Sequence, residues 1–83
     1  MTLEEKKDLM KKHFDRAMVY KNRLIRISKL ISTTPKKKIQ QAVLTLQLAF
    51  LIRMEYIEQQ KLAGIPTGFM AVTMYDGEQW VGL

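Results

Sequence analysis

A chain of 83 residues allows one small domain and excludes a two-domain enzyme, and with no cysteine it has neither disulfides nor thiolate zinc sites to stabilise it. Hydrophobic residues at 47% are too many for a disordered tail, and charged residues at 27% are spread too evenly for a membrane span, so a folded soluble domain is expected. Fourteen Lys and Arg against eight Asp and Glu give a formal charge of +6, which favours an anionic partner.

Thr2 to about Ile31 reads as a long amphipathic helix. Thr2 with Glu5 three positions on forms a capping box, and Glu4, Glu5 and Asp8 suit the positive end of the helix dipole. Met10, His13, Ala17, Tyr20, Leu24, Ile27 and Ile31 recur in steps of three and four, the seam of a helix that packs on another, and Phe14, Met18 and Ile25 widen it. No glycine or proline interrupts the run.

Ser32-Thr33-Thr34-Pro35 is a short turn, with Thr34 placed as an N-cap and Pro35 at the first helical position. A second helix is expected from Pro35 to about Ala63, ended by Gly64 with Pro66 beyond. Short connections make antiparallel neighbours, so the two form an αα-hairpin. From Ala42 to Met54 the second helix is apolar in nearly every direction, which requires burial on several sides, yet this run falls short of the roughly 20 residues that cross a bilayer. If the first helix covers Ile39, Val43, Leu46, Phe50 and Ile57, then Leu44, Leu48, Leu51 and Ile52 are left for another chain, and a homo-oligomer is expected.

Residues 65–83 change character. Asp76-Gly77 between apolar runs signals a two-residue β-hairpin in which Thr73 faces Trp80 and Val72 faces Val81, with Met70, Met74 and Leu83 on the face of the valines. The competing reading of this stretch is an arm that orders only in an assembly.

Catalytic patterns are sparse. A lone His13 without cysteine does not make a zinc site, and neither a Gly-rich phosphate loop nor H-E-x-x-H occurs. Glu55 and Glu58 stand on neighbouring turns, a spacing open to acid-base work but commoner in ion pairs, with Arg53 or Lys61 as partners. The reading is a non-enzyme with no cofactor.

Charge is better placed than chemistry. Through Lys38 the balance is +8, and from Ile39 onward it is −2. At about 100° per residue, Lys12, Arg16, Arg23 and Arg26 form one stripe opposite the apolar face, with Asp15 beside it, and Lys36, Lys37 and Lys38 extend it at the turn. Arginine's planar fork suits phosphate oxygens, while the competing reading is a solvated face. Neither helix-turn-helix spacing nor an RNP-type aromatic pair is present. Lys21 falls near the middle of the apolar arc, where it snorkels to the edge, pairs with Glu55 or Glu58, or reaches a ligand's charge between subunits. Tyr20 and His13 add a stacking surface and a donor near it, and Arg53 in the apolar run of the second helix poses the same question. Trp80 serves equally as a core plug or a platform.

In size, in the acid-led start Leu3-Glu4-Glu5-Lys6-Lys7-Asp8-Leu9-Met10, and in the isolated Lys21 beside Tyr20, the chain resembles the small phage proteins that sequester cyclic oligonucleotide signals of bacterial CBASS defence. That resemblance covers the first helix and implies a short, mostly helical oligomer with ligand pockets between subunits. The C-terminal hairpin signal departs from it, and no pocket residue transfers by position.

The fold expected is mostly α: a long antiparallel helical hairpin with a short C-terminal β-hairpin or arm, in one domain. The leading functional expectation is binding or sequestration of a phosphate-bearing ligand, nucleotide or nucleic acid, through Arg16, Tyr20, Lys21, Arg23, Arg26, Lys36, Lys37 and Lys38. The alternative is a protein-interaction module, an adaptor or inhibitor that docks through the second helix or the arm. No membrane partner is expected. The N-terminus has no apolar stretch of the secretory kind, so the cytoplasm is the default location.

Overall fold

The computed structural model describes residues 1–30, 33–65 and 73–82. Two long helices, α1 (Leu3–Ser28) and α2 (Pro35–Ala63), form an antiparallel hairpin, followed by a short antiparallel pair, β1 (Thr73–Tyr75) and β2 (Trp80–Gly82).

Local chemistry sets the helix ends. The Thr2 hydroxyl accepts from the Glu5 N–H at 3.2 Å, and the Thr34 hydroxyl accepts from the Lys37 N–H at 3.3 Å. Gly64 takes the left-handed conformation at φ 71°, its N–H reaching the Lys61 carbonyl, while the Ile65 N–H reaches the Gln60 carbonyl at 3.0 Å. Thus α2 has the bounds its sequence predicts. By contrast α1 stops at Ser28, short of Ile31, which lies outside the described residues together with Ser32. Gln41 of α2 donates to the Ile27 and Leu30 carbonyls at 2.7 and 3.2 Å, and the Ser28 hydroxyl donates to the Ile25 carbonyl. Carbonyls orphaned at a helix end are satisfied here by side chains instead of a further turn.

The α1 seam packs largely as its periodicity predicts: Met10 and Ala17 are buried, and His13, Phe14, Met18, Tyr20, Leu24 and Ile27 are partly buried, whereas Ile25, expected to widen the seam, is exposed. The side of α2 that meets it differs from the expected one. Leu48 and Tyr56 are buried and Ile52 is partly buried against α1, whereas Ile39, Val43, Leu46 and Phe50, expected to be covered, face outward. An all-round apolar helix has no distinctive period to choose its inner face. The buried polar residue Gln59 and the small Ala17 decide it, one by bonding inward and the other by letting α2 approach.

The β-hairpin is real, but its register is shifted by two residues. Tyr75 pairs with Trp80, Met74 with Val81 and Thr73 with Gly82, so the connection is the four residues 76–79. The Asp76 carboxylate accepts from the Glu78 and Gln79 N–H groups at 2.8 and 2.9 Å, and the Asp76 N–H bonds the Gln79 carbonyl. That side-chain turn replaces the two-residue one. A shift of two preserves side-chain parity, so Met74 still shares a face with Val81. Met70, Val72 and Leu83 lie outside the described residues.

Met74 is fully buried with Ala17 and Tyr56, and Phe14, Ile52 and Ile57 pack on this cluster. The hairpin therefore forms a third layer at the open end of a molecule 51 Å long and 21 by 19 Å across. Among the described residues from 18 to 47, the half nearer the turn, none is buried. That half is a bare pair of helices.

Candidate anion-binding surface

Folding the chain back on itself sorts its charge along the long axis. Arg16 meets Glu55 and Met10 meets Gln59, so residues 17–52 make up the turn half. That half holds seven cations, Lys21, Arg23, Arg26, Lys29, Lys36, Lys37 and Lys38, and no Asp or Glu. The rest of the chain holds the other seven cations and all eight acids. One end of the rod carries +7 and the other −1. The sequence signal was the absence of any carboxylate between Asp15 and Glu55, which a split of the chain into front and rear halves obscures.

Arg23, Arg26, Lys29, Lys36, Lys37 and Lys38 are all exposed, and among the described residues they make no side-chain hydrogen bond or ion pair. Lys36, Lys37 and Lys38 occupy the first turn of α2, which has no acidic residue. Cations there oppose the helix dipole, at a cost of about 0.3–1 kcal/mol per charge at low salt, and the free N–H groups of the turn add to the positive field. An anion placed against this end relieves both effects.

Arg16 does not join this group. Its Nε lies 3.3 Å from Glu55 Oε1, and Glu55 Oε2 lies 2.5 Å from His13 Nδ1. His13 Nδ1 is also 2.9 Å from Arg16 Nη2. One ring nitrogen serves one of these partners at a time: protonated it donates to Glu55, deprotonated it accepts from Arg16. The stripe of four foreseen on α1 is thus divided: all four are exposed, but Arg16 is ion-paired with Glu55 at the open end, where Lys12 also lies, while Arg23 and Arg26 belong to the turn end. Asp15 pairs with Lys11 at 3.1 Å.

Glu55 is engaged by His13 and Arg16, and Glu58 by Lys61 at 3.4 Å, so neither is paired with Lys21. Lys21 and Tyr20 are partly buried along the seam, and Lys21 makes no hydrogen bond or ion pair among the described residues. Partial burial without an ion pair leaves the snorkelling and ligand readings. Arg53, expected within the apolar packing, is exposed. Trp80 is exposed and stacks at a tilt on Tyr75, ring centroids 5.6 Å apart.

Sequence reading missed Gln59 and Gln60, both buried. The Gln59 amide donates to the Met10 and Tyr75 carbonyls and accepts from the Tyr75 N–H, each at 2.7 Å, and Gln60 donates to the Thr73 carbonyl at 3.4 Å. Polar side chains near a helix end read as solvated in a sequence, and no motif marks them. Among the described residues no group of His, Asp or Glu is placed to hold a metal, and no helix is long and apolar enough to cross a membrane.

No protein-family model matches the chain, and neither does any curated protein or solved structure.

Proposed function

We propose that the protein binds a phosphate-bearing ligand, a nucleotide or nucleic acid, without catalysis, as a small basic helical homo-oligomer. The observation that carries this reading is the acid-free turn end, where Arg23, Arg26, Lys29 and Lys36–Lys38 stand exposed with no carboxylate in their half of the molecule. A merely solubilising face needs no such segregation, since mixed signs keep a surface soluble equally well. Tyr20 and Lys21, on the seam of the same half, supply a ring and a cation for a compact ligand such as the cyclic oligonucleotides that the resemblance of α1 implies.

The test is fluorescence anisotropy with a labelled single-stranded oligonucleotide across a salt series, together with thermal stabilisation by cyclic di- and trinucleotides. Phosphate-driven binding weakens steeply with salt, and a ligand held by the folded state alone raises the melting temperature. Replacing Lys36, Lys37 and Lys38 by Gln is expected to lower affinity at least tenfold. Replacing Lys6, Lys7 and Lys12 by Gln, an equal change of net charge at the open end, is expected to change it less than threefold. Equal losses from both triples, or no binding of any phosphate ligand, would overturn the reading.

The outward apolar face of α2 favours a second reading, an interaction module docking on a larger protein. Leu44 and Leu51 are exposed as that reading requires, but Leu48 is already covered by α1. Such binding persists at high salt.

A further inference from the structure

Ile39, Leu46, Phe50 and Met54 are 58–65% exposed, and Val43 nearly half, along the side of α2 turned away from α1. With Gln40 and Gln47, spaced seven apart, they form an unbroken strip on a helix about 43 Å long. An open groove of about 420 Å³ bounded by Ile39, Gln40, Val43, Leu44 and Gln47 lies within it. So large an apolar face on so small a chain marks an interface.

We propose that a second copy of the chain covers this strip, and that the two α2 helices pack antiparallel across a two-fold axis at Gln47. This rests on the reading of the chain as a homo-oligomer and adds orientation and register to it. Charge decides the orientation. A parallel pair would bring two ends of +7 side by side, Lys36 against the partner's Lys36, and would also set Glu58 against its own copy. Like charges that close lie well within the Debye length of about 8 Å and repel. An antiparallel pair with its axis near the middle of α2 separates the two Lys36 by about 33 Å along the axis, well beyond that length.

Register follows from which polar groups share the strip. With the axis at Gln47, position i faces position 94 − i of the other copy, so Lys36 meets the partner's Glu58, Gln40 meets Met54, Val43 meets Leu51 and Leu44 meets Phe50. Lys36 and Glu58 are both exposed, and among the described residues Glu58 holds only the long, surface Lys61 contact. At the axis the two Gln47 amides face each other, each able to donate and accept. Of the two polar residues in the strip, Gln47 is the one nearest its middle, and a polar residue paired with its own copy in an apolar helix seam fixes register, while Gln40 faces Met54 toward the strip's end. The assembly then presents one basic turn end at each end of the dimer, where Arg23, Arg26, Lys29, Lys37 and Lys38 lie outside the Lys36–Glu58 pair and are left for a phosphate ligand.

Because the chain has no cysteine, single substitutions report the geometry cleanly. A disulfide needs Cα atoms within about 7 Å, whereas two copies of residue 40 in this arrangement stand about 21 Å apart along the axis. Native mass spectrometry of the unaltered protein is expected to give a dimer. On mild oxidation Gln47→Cys is expected to cross-link to itself, Gln40→Cys not to, and a mixture of Gln40→Cys with Met54→Cys to give the mixed dimer. Self-linking by Gln40→Cys without the mixed Gln40→Cys–Met54→Cys dimer overturns the orientation, and a Gln47→Cys dimer that fails to link overturns the register, while either leaves self-association standing. A monomer at 100-fold the concentration used for oligonucleotide binding, about 100 µM, overturns both, and the anisotropy measurements judge phosphate binding separately. Independently of disulfide geometry, Lys36→Glu and Glu58→Lys are each expected to weaken the dimer about tenfold, and the double variant to restore it. Absence of that rescue counts against the register.

Discussion

The side chain of Gln59 is hydrogen-bonded to the backbone of Tyr75 as another strand would be, its amide oxygen accepting from the N–H and its amide nitrogen donating to the carbonyl, both at 2.7 Å. The same nitrogen reaches the Met10 carbonyl, so one fully buried amide ties α1, α2 and β1 together. A two-stranded hairpin alone is marginal in water, and this contact, with Met74 beneath it, fastens it to the helices.

Gln59→Leu keeps the volume and removes all three bonds, leaving the partly buried Tyr75 N–H and carbonyl and the buried Met10 carbonyl with fewer partners. We expect it to lower stability by about 2–4 kcal/mol, more than removal of an exposed polar group. Urea unfolding followed by Trp80 fluorescence checks this, and detachment of the hairpin alone would show as loss of the Trp80 signal before the helical one.

Asp76 holds its turn through two backbone N–H groups, and those bonds keep its carboxyl below the ordinary aspartate pKa. A lowered folded pKa means that the contribution is full above the unfolded value and is lost as pH falls through the folded one. The hairpin is therefore expected to loosen in acid below the usual aspartate range. Asp76→Asn keeps an acceptor and is expected to remove that pH dependence, whereas Asp76→Ala is expected to loosen the turn at every pH. Amide chemical shifts of Glu78 and Gln79 across an acid titration distinguish the three.

Gly77 sits at φ 106°, and a Cβ there would come within 3.1 Å of the Lys11 side chain. Gly77→Ala is expected to destabilise by about 1–2 kcal/mol from backbone strain. Lys11→Ala in the same background relieves the contact without relieving the strain, so the melting temperature is expected to recover only in part.

Glu55 is largely buried between His13 and Arg16. Glu55→Gln is expected to cost about 1–3 kcal/mol, since bonds to a charged group are lost and the helices separate at that level. A double-mutant cycle with His13→Ala should return a coupling energy well above that of the exposed Lys11–Asp15 pair.

Much of this fold was legible because helix ends carry local chemistry. Thr2, Thr34 with Pro35, and Gly64 each act through neighbours within four residues, and the α1 seam is a simple period. What was illegible depends on contacts across the fold. The inner side of α2 is chosen by Gln59 and Ala17 meeting partners 16 to 49 residues away, and the strand register by one carboxylate that accepts two bonds inside its own loop. The basic surface was half legible. Its members were identified except for Lys29, but the tethering of Arg16 and the purity of the turn end required knowing which residues become neighbours once the chain reverses.

Segregated charge along a 51 Å rod also gives the single chain a large electric dipole. Near a polyanion such a molecule rotates before it touches, arriving turn first, so charge placement sets the encounter rate as well as the grip. Antiparallel pairing cancels that dipole, because each basic turn end then lies beside the acid-bearing open end of the other copy. Electric birefringence would therefore fall on self-association even as the particle lengthens or thickens, a signature opposite to that of a parallel pair, in which the two dipoles add.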